Sequence, residues 1–131
     1  MADAKKNIMI IEDDRFLSSL IKARLEKNDF ATTQAFDGEE AMKLLRQERP
    51  NLIVLDLIMP KVTGFEILEA ISLDPQLSKV PVVILSNLAQ DSDIQKAKSL
   101  GAIEYLVKIR VSIDELINKI KSIVQSQTVA D

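Results

Sequence analysis

Three acids in a row, Glu12, Asp13 and Asp14, a further aspartate at Asp56, a hydroxyl at Ser86 and a lysine at Lys108 are the residues of this chain best equipped for chemistry. Asp56 stands within NLIVLDLIMP, Asn51 to Pro60, among aliphatic and sulfur-bearing neighbours. An ionised carboxylate there carries a desolvation cost on the order of several kcal/mol unless a partner charge, a metal or hydrogen bonds offset it. Carboxylates gathered within a few ångströms repel one another and stay ionised at neutral pH only with a cation among them. The chain has no histidine and no cysteine, so the ligands are oxygens and the fitting ion is Mg2+, or Mn2+, rather than zinc. A Mg2+ site with open positions invites a phosphoryl group. Lys108 then supplies a compact positive charge, Ser86 a hydroxyl donor, and Asp56 a nucleophile able to form an acyl phosphate.

These residues are far apart in the chain, so the elements between them must bring them together. Apolar runs of strand length occur at Ile8 to Ile11, Leu52 to Leu57, Val82 to Leu85 and Tyr105 to Val107, with a more polar one at Ala31 to Phe36. Helix-period segments separate them: Leu17, Leu20, Ile21 and Leu25; Ala41, Leu44 and Leu45; Ile67, Leu68 and Ile71; and, most clearly, Ile113, Leu116, Ile117, Ile120 and Val124. Asp37 with Glu40 and Ser112 with Glu115 have capping-box spacing, Pro50 follows the second helix and Gly101 the fourth. The pattern is β-α repeated five times. Strands apolar on both faces and alternating with helices predict an α/β, three-layer, doubly wound domain with a five-stranded parallel sheet. In such sheets a ligand binds beyond the carboxyl ends of the strands, where strand order reverses. For the flavodoxin-like order 2-1-3-4-5 that point lies between strands one and three, and the acids converge there. The core spans about residues 7–124, and the polar, non-periodic ends, Met1 to Lys6 and Gln125 to Asp131, are expected to fray.

The 131 residues suit one domain, with 47% hydrophobic and 28% charged residues in the balance of a soluble protein. No apolar run is long enough to span a membrane, and MADAKK leads into no apolar segment of a secretory signal, so a cytoplasmic protein is expected. A net charge of −3 argues against direct nucleic-acid binding.

The quoted residues resemble the receiver domains of two-component response regulators from about Ile8 to Val124. The resemblance rests on IIEDD at Ile10 to Asp14, LDLIMPKVTGFEIL at Leu55 to Leu68, ILSN at Ile84 to Asn87, LGA at Leu100 to Ala102 and YLVK at Tyr105 to Lys108. Each is weak alone; their joint order and spacing are specific. The resemblance implies a phosphoacceptor at Asp56 and an acidic pair at Glu12 and Asp13, with Asp13 a direct metal ligand and Glu12 acting through water. It further implies a ligand in the Ile58 backbone carbonyl, a switch hydroxyl at Ser86, a phosphate-binding Lys108 and a rotamer-changing aromatic at Tyr105. The phosphodonor would be a histidine kinase or a histidine phosphotransfer protein. Output would pass through the surface around helix four, strand five and helix five to a further protein, or onward as a phosphorelay step. A stand-alone receiver is expected, since only a polar tail follows Val124.

Two positions depart from the family pattern. Proline usually follows the lysine, often through a cis peptide; here it is Ile109, and a trans bond with a re-routed loop is expected, because a cis bond before a non-proline residue costs about 3 kcal/mol. The residue after the switch hydroxyl is commonly small, whereas Asn87 is larger and narrows the phosphodonor's approach. Ile58 and Leu88, which flank the acceptor and the switch, are aliphatic and cannot orient an attacking water, so a slowly hydrolysing aspartyl phosphate is expected.

Singly, each feature has an ordinary explanation: acids favour helix N-termini, a hydroxyl favours a turn, and a lysine snorkels from a strand end. Tyr105 alone reads as a core or edge aromatic, and Met59 as packing. Together the four groups end different strands of one sheet on one edge, which no ordinary explanation covers. A turnover phosphohydrolase with an aspartate nucleophile usually has a second acid two residues later, where this chain has Ile58, so an enzyme is not expected. A degenerate, phosphorylation-independent receiver is disfavoured by the intact acids and lysine. A flavin-binding domain lacks its phosphate-cradling loop.

Overall fold

The computed structural model describes residues 4–130, with side chains through residue 127. Five strands alternate with five helices: β1 Asn7–Ile11, α1 Arg15–Lys27, β2 Ala31–Ala35, α2 Gly38–Gln47, β3 Leu52–Leu55, α3 Gly64–Leu73, β4 Val82–Ser86, α4 Asp91–Ser99, β5 Glu104–Val107 and α5 Ile113–Ala130. A single 3-10 turn, Lys108–Arg110, joins β5 to α5. The strands form one parallel sheet in the order β2-β1-β3-β4-β5, as predicted. Register places Ile8 to Ile11 beside Leu52 to Leu55, and Ser86 beside Val107.

Alternation along the strands divides the core in two. Met9, Ile11, Ile53, Leu55 and Ile84 face α2, α3 and α4, where Ala41, Leu45, Ile67, Leu68 and Ala97 meet them. Ile8, Ile10, Leu52, Val54 and Val83 face α1 and α5, against Ile21, Leu25, Leu116, Ile117 and Ile120. Each such side chain removed from water contributes about 1.5–3 kcal/mol, so the alternation also fixes register: a slip of one residue would exchange the two faces. β3 and β4 are buried at every residue, while most of β2 and β5 is half-buried, as sheet edges are.

Local chemistry sets the element ends. Ser112 Oγ accepts from the Glu115 N–H while the Glu115 carboxylate accepts from the Ser112 N–H, the reciprocal cap that spacing predicts. Asp37 accepts from the Glu40 N–H, but the Glu40 carboxylate reaches the Phe36 N–H instead of the cap residue's own. A third box, Thr63 with Glu66, opens α3 and was not read from the sequence. Gly101 has φ +110 after α4, the left-handed turn that favours glycine.

Several expected boundaries shift. β3 ends at Leu55, although the Asp56 N–H still donates to the Ile11 carbonyl, and β2 ends at Ala35 rather than Phe36. β1, β4 and β5 each gain one residue, Asn7, Ser86 and Glu104. Leu20, placed on the apolar face of α1, is 39% exposed. α5 continues past Val124 to Ala130, beyond the last residue of the apolar helical period, with no glycine or proline in that stretch to interrupt it. At the other end the Lys6 carbonyl accepts from Ala31 N–H, so that residue is already tied to the sheet, while Met1 to Asp3 and Asp131 lie outside the described residues. Among the described residues no helix is long and apolar enough to cross a membrane.

Candidate functional site

The site is built at the carboxyl ends of β1, β3, β4 and β5. β1 carries Glu12 and Asp13 just past its end, and β3 carries Asp56; among the described residues these three offer carboxylate oxygens within 4.8 Å of one another. Glu12 and Asp56 are 2% and 4% exposed, while Asp13 is exposed at the mouth. The third acid, Asp14, serves the helix instead, its carboxylate capping α1 by accepting from the Leu17 N–H at 3.1 Å. The helix-terminus explanation therefore holds for Asp14 alone.

Lys108, leaving the end of β5, reaches across the sheet edge to both buried acids. Its Nζ donates to Asp56 Oδ2 at 2.9 Å and lies 2.7 Å from Glu12 Oε1. The second contact is a close charge pair without hydrogen-bond alignment, which leaves Glu12 Oε1 buried with no hydrogen bond of its own. Glu12 Oε2 accepts from the Asp14 N–H at 3.1 Å, and Asp56 Oδ1 from the Ile58 N–H at 3.2 Å.

Two carboxylates share one lysine, and the electrostatics show it. Burial pushes Glu12 up from 4.5 to about 7; the Asp56 charge adds to the rise, while Lys108 and the Asp14 N–H oppose it. For Lys108, burial acts to lower the ammonium, but its close pairing with the Glu12 carboxylate and its hydrogen bond and charge pairing with Asp56 outweigh it and hold the group above its ordinary range.

Ser86 and Tyr105 stand apart from the acid cluster. Ser86 is fully buried, and its Oγ accepts from the Leu88 N–H at 3.3 Å. Tyr105 packs against the α2–α3–α4 side of the core, and its hydroxyl donates to the Leu88 carbonyl at 2.6 Å. Burial, with the charges of Asp93 and Asp56, raises the Tyr105 hydroxyl above its usual range. Both residues thus grip one loop, between β4 and α4. Asn87 in that loop is exposed, with its Oδ1 accepting from the Ile109 N–H at 3.2 Å. The Lys108–Ile109 peptide is trans, as are all peptides of the described residues, and the chain there forms the 3-10 turn Lys108–Arg110. Ile58 is 57% exposed, and Met59 is buried in the core as expected.

Sequence reading missed Gly64, which shapes the loop holding Asp56. A Cβ there would lie within 2.5 Å of the Leu57 Cα and closer still to the Asp56 carbonyl oxygen, and the Gly64 N–H donates to the Leu57 carbonyl at 3.1 Å. Its signal was a glycine at a helix N-terminus eight residues after the buried aspartate.

The residues present fit a hard divalent cation. The donors are all oxygens, the cluster is compact, Glu12 resists ionisation without further positive charge, and one of its buried oxygens has no hydrogen bond. Such a pocket is able to hold Mg2+ or Mn2+.

Comparison with known proteins agrees with this arrangement. The family model of the response regulator receiver domain matches residues 8–121. A probable transcriptional regulator, ycf27, of Porphyridium aerugineum is 35% identical over 92% of this chain, which covers 49% of that protein. The chain thus spans about half the length of that relative. Among solved structures, the receiver domain of Francisella response regulator 1452 is 32% identical with a TM-score of 0.85, covering 94% of this chain and 99% of that one. The Mn2+-bound form of response regulator Rcp1 is 34% identical with a TM-score of 0.81, covering 89% of this chain and 92% of that one. Sheet order, acid cluster, bridging lysine and family match converge: the chain belongs to the response regulator receiver domains of two-component signal transduction.

Proposed function

We propose that the chain is a phosphorylation-switched receiver with Asp56 as phosphoacceptor. The observation that carries the reading is Lys108 Nζ, 2.9 Å from Asp56 Oδ2 inside a pocket of three acids. Lysine and a divalent cation together meet the charge that phosphoryl transfer must stabilise. Asp13, Asp56 and the Ile58 backbone carbonyl would hold Mg2+ directly, and Glu12 would hold it through water. Bound there, the ion neutralises charge on the phosphoryl oxygens.

The donor is a phosphohistidine of a histidine kinase or a histidine phosphotransfer protein. An Asp56 carboxylate oxygen attacks phosphorus, the P–N bond breaks as the P–O bond forms, and the departing imidazole takes up a proton. Lys108 remains beside the group and pairs with its oxygens. Ser86 Oγ, which accepts from the Leu88 N–H in the present state, turns to donate to the phosphoryl group. Leu88 also carries the Tyr105 hydrogen bond, so the β4–α4 loop and Tyr105 move together and alter the face formed by α4, β5 and α5. The chain is a switch rather than a turnover enzyme, because Ile58 supplies no second acid. Its downstream partner is a protein that reads that face.

The test is intact mass after incubation with Mg2+ and a small-molecule phosphodonor, on the wild type and on Asp56→Asn. One phosphoryl adduct, dependent on Mg2+ and lost in the variant, is expected. No adduct on the wild type would favour a phosphorylation-independent receiver, and steady release of phosphate would favour a hydrolase.

A further inference from the structure

We infer that Asn87 is a positioning residue, whose side chain holds the turn from which Lys108 reaches Asp56. The inference rests on Asp56 being the phosphoacceptor. Ser86 and Val107 are the last paired residues of β4 and β5. Lys108 then opens the 3-10 turn Lys108–Arg110, which has no side-chain cap of its own. The first N–H groups of such a turn lack partners within it. The Ile109 N–H is one of these, and Asn87 Oδ1 receives it at 3.2 Å.

Packing does little to secure the same turn, since Ile109 is 80% exposed and Arg110 is exposed as well. The Asn87 side chain therefore carries the β4–β5 pairing one step past the last backbone pair, at the point where the cation leaves the sheet. The two departures from the family pattern meet here as donor and acceptor. A proline at position 109 would have no N–H to give, and a small residue at position 87 would have no acceptor at that reach. Lys108 must keep its Nζ 2.7 Å from Glu12 and 2.9 Å from Asp56 at once. Its backbone anchor is consequently part of the site's geometry, and Asn87 acts on the reaction through that anchor.

The experiment compares wild type, Asn87→Leu, which keeps the bulk and removes the acceptor, and Asn87→Asp, which keeps an acceptor. Phosphorylation by a small-molecule donor with Mg2+ is followed alongside the nitrogen-15 signals of the Ile109 amide and the Lys108 ammonium. For Asn87→Leu we expect phosphorylation about fivefold slower, the loss that one such hydrogen bond supports. We also expect the Ile109 amide to lose protection from exchange and the Lys108 signal to move toward that of free lysine. Asn87→Asp is judged on the two signals alone, because its charge alters donor approach, and it should retain both. A Lys108 signal unchanged in Asn87→Leu, or phosphorylation as fast as in the wild type or faster, would overturn the inference. If the wild type takes no phosphoryl group, the phosphoacceptor reading fails by itself, and the Lys108 signal still decides whether Asn87 positions the lysine.

Discussion

Replacing Glu12 by glutamine separates the cost of burying a charge from the benefit of filling the space. Glu12 is 2% exposed, and burial pushes its carboxyl from 4.5 to about 7, helped by the Asp56 charge. A folded-state value above the unfolded one means that the folded protein binds the proton more tightly. The resulting stability is fully present below 4.5 and is lost as pH rises through about 7. At about 1.4 kcal/mol per unit, that interval amounts to about 3 kcal/mol of stability lost by the metal-free wild type. Glutamine has the shape of the protonated acid and no proton to lose, so the variant lacks this slope. Urea unfolding in a chelator should give similar stabilities at about pH 5 and a more stable variant at about pH 8, by up to about 3 kcal/mol. Slopes from distant groups cancel in the difference. Adding Mg2+ at the higher pH should favour the wild type, whose carboxylate then has a cation to face. A difference constant over this range, or a variant less stable at about pH 8, would refute the reasoning.

Lys108→Met leaves Glu12 and Asp56 facing each other without their shared cation, and should cost the metal-free protein about 3 kcal/mol in urea unfolding. Mg2+ should then stabilise this variant more than the wild type; equal increments would contradict the shared-cation account. Gly64→Ala forces a Cβ against the Asp56 and Leu57 backbone and should cost about 1–3 kcal/mol, with weaker Mg2+ binding by calorimetry. An alanine variant of wild-type stability would show that this loop yields freely. Ile58 is 57% exposed and Leu88 is half-buried against the core, both aliphatic. The phosphorylated wild type should therefore decay slowly, and Leu88→Glu should shorten its lifetime by about tenfold, an order of magnitude short of the hundredfold or more that a fully positioned base supplies. Unchanged decay would remove position 88 from control of hydrolysis.

The fold was legible because its signals are local and repeated. Apolar runs such as Leu52 to Leu55 and the helical period of Ile113 to Val124 each reflect burial in a single element. The helix beyond Val124 was missed because polar composition suggested a tail, whereas continuation of a helix needs only the absence of a breaker. At the site, Glu12, Asp13, Asp56 and Lys108 were legible as charges at strand ends, and parallel strands necessarily bring such ends together. Their division of labour was not: nothing local distinguishes Asp14, which caps a helix, from Asp13, which faces the pocket. Ser86, Asn87 and Tyr105 were even less legible, since their partners Leu88 and Ile109 are set by how two loops meet. The Tyr105 to Leu88 bond spans 17 residues and has no periodicity to announce it.

The uneven burial of the sheet decides where a disturbance at Asp56 can be accommodated. β3 and β4 are enclosed on both faces at each of their residues, and β1 nearly so, whereas β5 is half-covered except at Val107. A strand wedged between two packed layers behaves as a stiff beam: moving it would disturb both cores at once. Under the proposed switch, force applied at the tip of β3 would be passed on rather than absorbed, and the β4–α4 loop, held by Ser86 and by Tyr105 of the half-covered β5, is placed to take it up. The stiffness of the middle makes the compliance of one edge directional.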